Sequence, residues 1–294
     1  MKGSVSMKNK IKLLCSVLLT FSLTLFGCAQ KSGKNNVNNT SFKGNFIVRY
    51  IDVGQGDSML IQCNGKNMLI DAGPRDSQEK LISYLKSLKI KKLDYVIATH
   101  PHEDHIGGMG QVIKTFDIGS FYAPKVSHNT KTFEYMVNQL KNKNLKMNVI
   151  KKGMGDDINL GANSKVEVFS PINSKYDNLN NYSPIIKISY GKTSFLFTGD
   201  AEKEVEKEVL ESGANIKSNV LKFGHHGSST STTKEFFNKV DPSIGIVSCG
   251  VNNKYGHPHK EILKLIKEKH LTVYRTDKDG NIVLESNGKE IIKK

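Results

Sequence analysis

The chain has 294 residues, 37% of them hydrophobic, enough apolar material to bury a real core in one large domain or two small ones. Lys and Arg number 43 against 28 Asp and Glu, a formal charge of +15. That excess favours polyanionic partners (nucleic acid, anionic wall polymer, a membrane surface), but Lys-rich surfaces also serve other functions, so charge alone selects none.

In chain order, Lys8, Lys10 and Lys12 precede an apolar run from Leu13 to Phe26. This is a basic segment followed by a stretch shorter than the roughly 20 residues of a membrane span. The run closes on Leu25-Phe26-Gly27-Cys28, which resembles a bacterial lipobox. The resemblance implies a lipoprotein signal peptide over residues 1–27, cleavage before Cys28 and acylation of that cysteine. An ordinary secretory signal or a short anchor is the alternative. Met7 suits a translation start, because the residues before it add nothing to a signal. Removing residues 1–27 takes away Lys2, Lys8, Lys10 and Lys12 and leaves +11. Residues 28–45, polar and rich in Asn, Ser, Gly and Lys, read as a flexible tether. Cys63 and Cys249 then remain, in apolar runs and without a CxxC pattern. They read as buried small hydrophobes, a disulfide being the alternative.

From Phe46 to residue 294 no second linker or repeat interrupts the pattern, which predicts one domain. "SMLIQC-NG-KNMLID" is a hairpin signal, Asn64-Gly65 supplying the positive φ of a tight turn. A second hairpin turns near Gly191 and a third at Asn287-Gly288. Tyr84, Leu85 and Leu88 share a helical face, as do Phe133, Met136, Val137 and Leu140. "AEKEVEKEVLESG" predicts a charged helix with Val205 and Val209 inward and Gly213 as its stop. "LDYVIATH", "KVEVFSP", "NVLKFGHH" and "IGIVSCG" add strands. Hairpins with helices between them predict a layered α/β domain of two packed sheets with helices outside. A monomer is expected, since no apolar interface helix stands out.

The chemistry concentrates in "VIATHPHEDHIGG". Val96 to Ala98 should be buried, so the chain after Thr99 emerges at a sheet edge. Imidazole and carboxylate are ligands of divalent ions such as Zn and Mn. His100 and His102, two apart in an extended turn, can share one ion. Asp104 and His105 can take a second, and Gly107 and Gly108 let the backbone pass close to the metals before a helix.

His100-x-His102-x-Asp104-His105 is similar to the signature of the metallo-β-lactamase superfamily. "NMLIDAG" supplies Asp71, "FLFTGD" supplies Asp200, and "LKFGHHGSSTS" supplies His225 and His226, in the order the family shows. The likeness covers residues 46–294 and implies a four-layer αββα sandwich with two divalent metal ions at one edge of the sheets. In that family Asp200 bridges both metals and one of His225 and His226 is the late histidine ligand. Asp71 orients a metal-bound histidine. Asp57 and Gln55 in the "GQGD" loop either support the site or form a structural turn. His257 in "YGHPH" reaches for the phosphate, while His259, His128 and His270 read as surface residues. Asn180-Asn181-Tyr182-Ser183 stands where many members place another histidine. The site of His100 and His102 is therefore expected to be weaker, completed by water, substrate or an Asn carbonyl, and open to Mn as well as Zn.

"YIDVGQGDSMLI", "GHHGSSTS" and "NNKYGHPH" narrow the resemblance to the hydrolase domain of bacterial competence DNA-uptake channels, and to a related phosphorylcholine esterase group. The expectation is a free-standing, lipid-tethered, extracytoplasmic metal-dependent phosphodiesterase acting on DNA. Asp104, Asp200, His225 and His257 are its candidate catalytic groups. The alternatives are a phosphodiesterase of choline-bearing or teichoic wall polymers and a non-catalytic DNA-capturing lipoprotein. A choline site would want an aromatic cage, and the chain has no Trp. A β-lactam hydrolase would usually carry the absent histidine.

Overall fold

The computed structural model describes residues 46–294. The signal segment, Cys28 and the tether lie outside the described residues. Among the described residues the strands form two sheets. In spatial order the first runs Ile291–Lys293, Ile282–Ser286, Phe46–Tyr50, Met59–Cys63, Lys66–Ile70, Lys92–Ile97, Asp117–Ala123 and Met147–Val149. The second runs Thr272–Arg275, Ile244–Val247, Val220–Lys222, Thr193–Phe197, Ile186–Tyr190 and Ser164–Val168. All three hairpins turn where the sequence places them, closing on the pairs Cys63–Lys66, Tyr190–Thr193 and Ser286–Ile291. Asn64 and Gly65 both take positive φ, 50° and 79°, as a two-residue turn matched to strand twist requires.

Alternation along Phe46–Tyr50 sends Phe46, Val48 and Tyr50 inward, where they meet Ile186, Ile188, Phe195 and Phe197 of the second sheet. The outer face of the first sheet, Leu60, Leu69 and Val96, is covered by helices Gln78–Ser87, Met109–Thr115 and Lys131–Asn142. The outer face of the second, Leu196, Leu221 and Val247, is covered by Lys203–Glu211, Lys234–Val240 and Lys260–Glu268. Three separate apolar clusters thus sit between four layers, and the fold is the αββα sandwich. Cys63 and Cys249 are both buried and free. Burial pushes each thiol up to about 11, so neither is poised to react.

Each sheet joins antiparallel hairpins to a run of parallel strands. Loops leaving the C-terminal ends of the parallel strands Lys66–Ile70, Lys92–Ile97, Thr193–Phe197, Val220–Lys222 and Ile244–Val247 meet at one edge. There Thr99 N–H donates to Asp71, His225 N–H to the Gly199 carbonyl, and the His226 ring to the Ser248 carbonyl. That edge is where open α/β sheets gather their ligands. Gly107 and Gly108 have another reason than the expected one. A Cβ on Gly107 would lie 2.2 Å from Arg75 N, and one on Gly108 2.5 Å from the Ala72 carbonyl. They admit the loop after Asp71 rather than the metals.

Candidate metal centre

Ala98 N–H still pairs with the neighbouring strand through the Tyr122 carbonyl, and the chain then leaves the sheet. His102 is extended and starts the short helix Glu103–Ile106, so His100 and His102 leave an extended segment while Asp104 and His105 leave a helical turn. His100 and His105 are buried and His102 is half-buried. His100 Nε2 and His102 Nδ1 stand 2.9 Å apart, about half an ångström short of the ~3.4 Å between two nitrogens each about 2.1 Å from one tetrahedral ion.

Asp200 is the hub. Its Oδ2 lies 3.2 Å from His105 Nε2, 3.4 Å from His226 Nε2, 3.6 Å from His225 Nε2 and 3.9 Å from His100 Nε2. Asp104 Oδ2 lies 3.3 Å from His226 Nε2. The segment after Thr99 and the distant groups near residues 200 and 225 therefore converge. Asp200 Oδ1, His105 Nε2, His226 Nε2 and Asn180 Oδ1 are buried without a hydrogen-bond partner. Leaving such atoms unpaired is costly, and imidazole nitrogens with carboxylate oxygens are the donor set that borderline divalent ions take. One donor each from Asp57, His105, Asp200 and His226 also falls within 4.8 Å of the others.

Neighbours fix which ring nitrogen faces inward. The Thr99 hydroxyl donates to Asp71 Oδ2 at 2.7 Å, so its oxygen accepts from His100 Nδ1 at 3.1 Å. His105 Nδ1 donates to Asp71 Oδ2 at 2.8 Å, and His226 Nδ1 to the Ser248 carbonyl at 3.0 Å. All three Nε2 atoms are left facing the cluster. Ser183 Oγ accepts from Asp200 N–H and lies 3.3 Å from His100 Nδ1, tying the two segments together. Asp57 is fully buried, with Lys222 Nζ 2.8 Å from Oδ2 and His226 Nδ1 3.4 Å from Oδ1. Burial alone would raise its carboxyl; Lys222 and His226 hold it down at about 2. Burial also opposes charge on His105 and His226, yet Asp200, with Asp71 beside the first and Asp57 beside the second, raises both well above the usual range.

His225 and His226 occupy a tight turn with φ of 48° and 55°. The two rings lie 5.9 Å apart and both bring Nε2 to Asp200 Oδ2, but they differ in burial. His226 sinks into the cluster. His225 stays partly exposed, its Nδ1 3.1 Å from Thr230 Oγ1 and 3.4 Å from Glu202 Oε1. Both histidines line a cleft of about 350 Å³ with Gln55, His102, Asp104, Asn180, Asp200, Tyr255 and His257. Gly250 N–H donates to Gln55 Oε1, which turns Gln55 Nε2 toward His257 Nδ1 at 3.4 Å. Burial, with His226 and His225 beside it, pushes His257 down to about 4. An amide N–H at Nδ1 leaves Nε2 as the donor of the neutral His257 ring.

His270 is exposed, as expected. His259 and His128 are half-buried surface residues. His259 accepts from Ser229 N–H and approaches the Tyr255 carbonyl at 3.0 Å, pinning two loops. The His128 ring lies 6.4 Å from that of His102, with its Nδ1 buried. Lys222, Thr99, Ser183 and Glu202 escaped the sequence reading. Of these only Lys222, a lone charge in the apolar run "NVLKFG", carried a signal.

A two-sheet sandwich whose edge loops present converging imidazoles and carboxylates defines a metallohydrolase. Residues 51–251 match the metallo-beta-lactamase superfamily model, and the chain belongs to that superfamily. It is 32% identical over 286 residues to ComE operon protein 3 of Bacillus subtilis, covering 91% of this chain and 34% of that protein. It is 27% identical over 233 residues to the competence protein ComA of Neisseria gonorrhoeae, covering 78% of this chain and 30% of that one. A shorter match, 34% over 85 residues, links 28% of this chain to 29% of exodeoxyribonuclease WalJ of Streptococcus pneumoniae. The chain thus spans about a third of the length of these relatives. Among the described residues no helix is long and apolar enough to cross a membrane.

Proposed function

We propose that this hydrolase is an extracytoplasmic phosphodiesterase that cleaves nucleic acid, DNA in the first place, using two divalent ions, Zn or Mn. The observation that carries the reading is the pair of donor groups on either side of Asp200. His100 Nε2, His102 Nδ1 and the unpaired Asn180 Oδ1 would hold one ion. Asp104, His105 Nε2 and His226 Nε2 would hold the other, with Asp200 between them. Asp57 reaches this group through the far nitrogen of His226 and is neutralised by Lys222, so it acts as a support and not as a ligand. When bound, the ions supply Lewis acidity that acidifies a water and neutralises charge building on phosphate oxygens. Asp200 Oδ1, buried and unpaired, would accept a hydrogen bond from a water held there. His257 donates from Nε2 to a phosphate oxygen, and His225 passes a proton to the leaving oxygen.

A competence protein and an exodeoxyribonuclease among the relatives support nucleic acid as the substrate, as does the +11 charge. Against a choline ester, Tyr255 is the one aromatic residue besides histidines that lines the cleft, which makes no cage. Anchoring through Cys28 with residues 28–45 as tether would place a monomeric domain outside the membrane. The test is turnover of labelled single- and double-stranded DNA, RNA and bis-p-nitrophenyl phosphate by metal-reconstituted protein, with His102→Ala and Asp200→Ala as controls. We expect metal-dependent DNA cleavage lost in both variants. Cleavage of the small diester alone would move the assignment to a wall polymer. Tight DNA binding without turnover would make the protein a capture lipoprotein.

A further inference from the structure

The loop after Ile244–Val247 bends back over the metal cleft and presents Tyr255, which is 52% exposed. This ring borders two hollows at once. One is the metal cleft. The other is a groove of about 500 Å³ on the far side, which shares Gln55, Glu103 and Asp104 with the cleft. The ring is braced from behind, stacked on His257 at 5.6 Å and 19°, and the His257 ring lies 6.0 Å from that of the metal-facing His226. Two ring-to-ring contacts therefore link Tyr255 to a proposed ligand of the ions. Its other neighbour is the exposed Lys254, with Nζ 5.2 Å from the ring centroid and no ion pair among the described residues.

The groove beyond Tyr255 is a poor home for a phosphate. Asp76 and Glu103 face it together with Lys80 and Lys254, and Lys80 is already tied to Asp52 at 2.7 Å. Val53, Gly54 and Pro74 make much of the remaining wall. Apolar wall, carboxylate acceptors and an open aromatic face together suit a flat, uncharged ring bearing amino groups. We propose that this groove is a nucleobase subsite, in which the base next to the scissile phosphate stacks on Tyr255 while Lys254 swings to the sugar-phosphate chain. The inference rests on the phosphodiesterase reading of the adjoining cleft and adds the feature that makes a single-stranded, base-bearing polymer its preferred substrate. Stacking on an aromatic ring tolerates any sequence, so the subsite confers little base selectivity.

The experiment uses the metal-loaded full chain, a labelled single-stranded oligonucleotide, and a base-free deoxyribose-phosphate chain of the same length. Tyr255→Ala should raise KM for the oligonucleotide about ten-fold with kcat little changed. Tyr255→Phe, which keeps the ring, should not. The base-free chain should be cleaved with a poor KM that Tyr255→Ala leaves alone. An unchanged KM for the oligonucleotide, or an equal loss on both polymers, overturns the subsite while the cleavage itself upholds the nuclease. If neither polymer is cut, fluorescence anisotropy decides. A ten-fold weakening of oligonucleotide binding, absent for the base-free chain, keeps the subsite and removes the nuclease; no weakening removes the subsite as well.

Discussion

Lys222 has no solvent exposure, its Nζ lies 2.8 Å from Asp57, and it donates to the Phe223 carbonyl at 2.9 Å. Removing one partner of a buried pair leaves the other charge uncompensated, at a cost of about 3–5 kcal/mol. Lys222→Met should therefore lower unfolding free energy by ~3 kcal/mol or more in urea titrations. Adding Asp57→Asn should recover part of that loss, since it removes the stranded carboxylate. Equal losses in the single and double variants would mean the pair is not coupled. In the proposed site of His100 and His102, Asn180 Oδ1 is a buried, unpaired oxygen. Asn180→Ala is expected to weaken the looser of two metal equivalents in calorimetric titration and leave the tighter one in place; a single unchanged isotherm would remove Asn180 from the site. The cluster after Thr99, Asp71 and Asp200 were legible because several chemically competent residues sit together or at strand ends. Which of His225 and His226 is the more buried was not, because that depends on the turn that carries them. Thr99 and Ser183 were hidden because a hydroxyl that sets a tautomer looks like any other hydroxyl.

Among the elements, the hairpins and the strands feeding the site were legible from alternation and from Asn-Gly turns. The strands Phe46–Tyr50, Asp117–Ala123, Met147–Val149 and Thr272–Arg275 escaped; the last two are three and four residues long and partly exposed, too short for a period to register. Helix Lys203–Glu211 was expected to turn Val205 and Val209 inward, and it does, but it also buries a charge. Glu206 accepts from Thr232 N–H and Thr233 N–H, holding the loop that follows the His225-His226 turn. Burial raises its carboxyl to about 7, against the backbone hydrogen bonds that lower it. Because the folded value lies above the unfolded one, the folded protein keeps a proton that the unfolded chain has lost between about pH 4.5 and 7. Stability contributed by this group is full below that window and falls as pH rises through it, by up to about 3 kcal/mol. Glu206→Gln mimics the protonated form and should flatten the decline of Tm across the window. A slope identical to that of the parent protein would show that Glu206 does not titrate there.

At the scale of the whole molecule, the two sheets contribute opposite halves of the metal cluster. His100, His102, Asp104 and His105 follow a strand of the first sheet, whereas Asp200 and His226 follow strands of the second. Two packed sheets with helices outside were readable from the pattern of hairpins and helices, but the meeting of these edges was readable only through the family resemblance, because no local pattern says which sheet edges will face each other. That division has a thermodynamic consequence: a bound ion crosslinks the halves, and whatever binds the folded state alone stabilises it. At a free metal concentration a thousand times Kd the gain is about 4 kcal/mol, roughly a 10 °C rise in Tm for a domain of this size. Chelation of the reconstituted protein should reverse that rise, and readdition of Zn or Mn should restore it. Asp200→Asn, which weakens the hub between the halves, should abolish most of the metal-dependent shift, while His102→Ala, confined to the looser side, should reduce it less. A metal-dependent rise that survives in Asp200→Asn would place the stabilising ion on one sheet's residues alone and break the link between the cluster and the joining of the two halves.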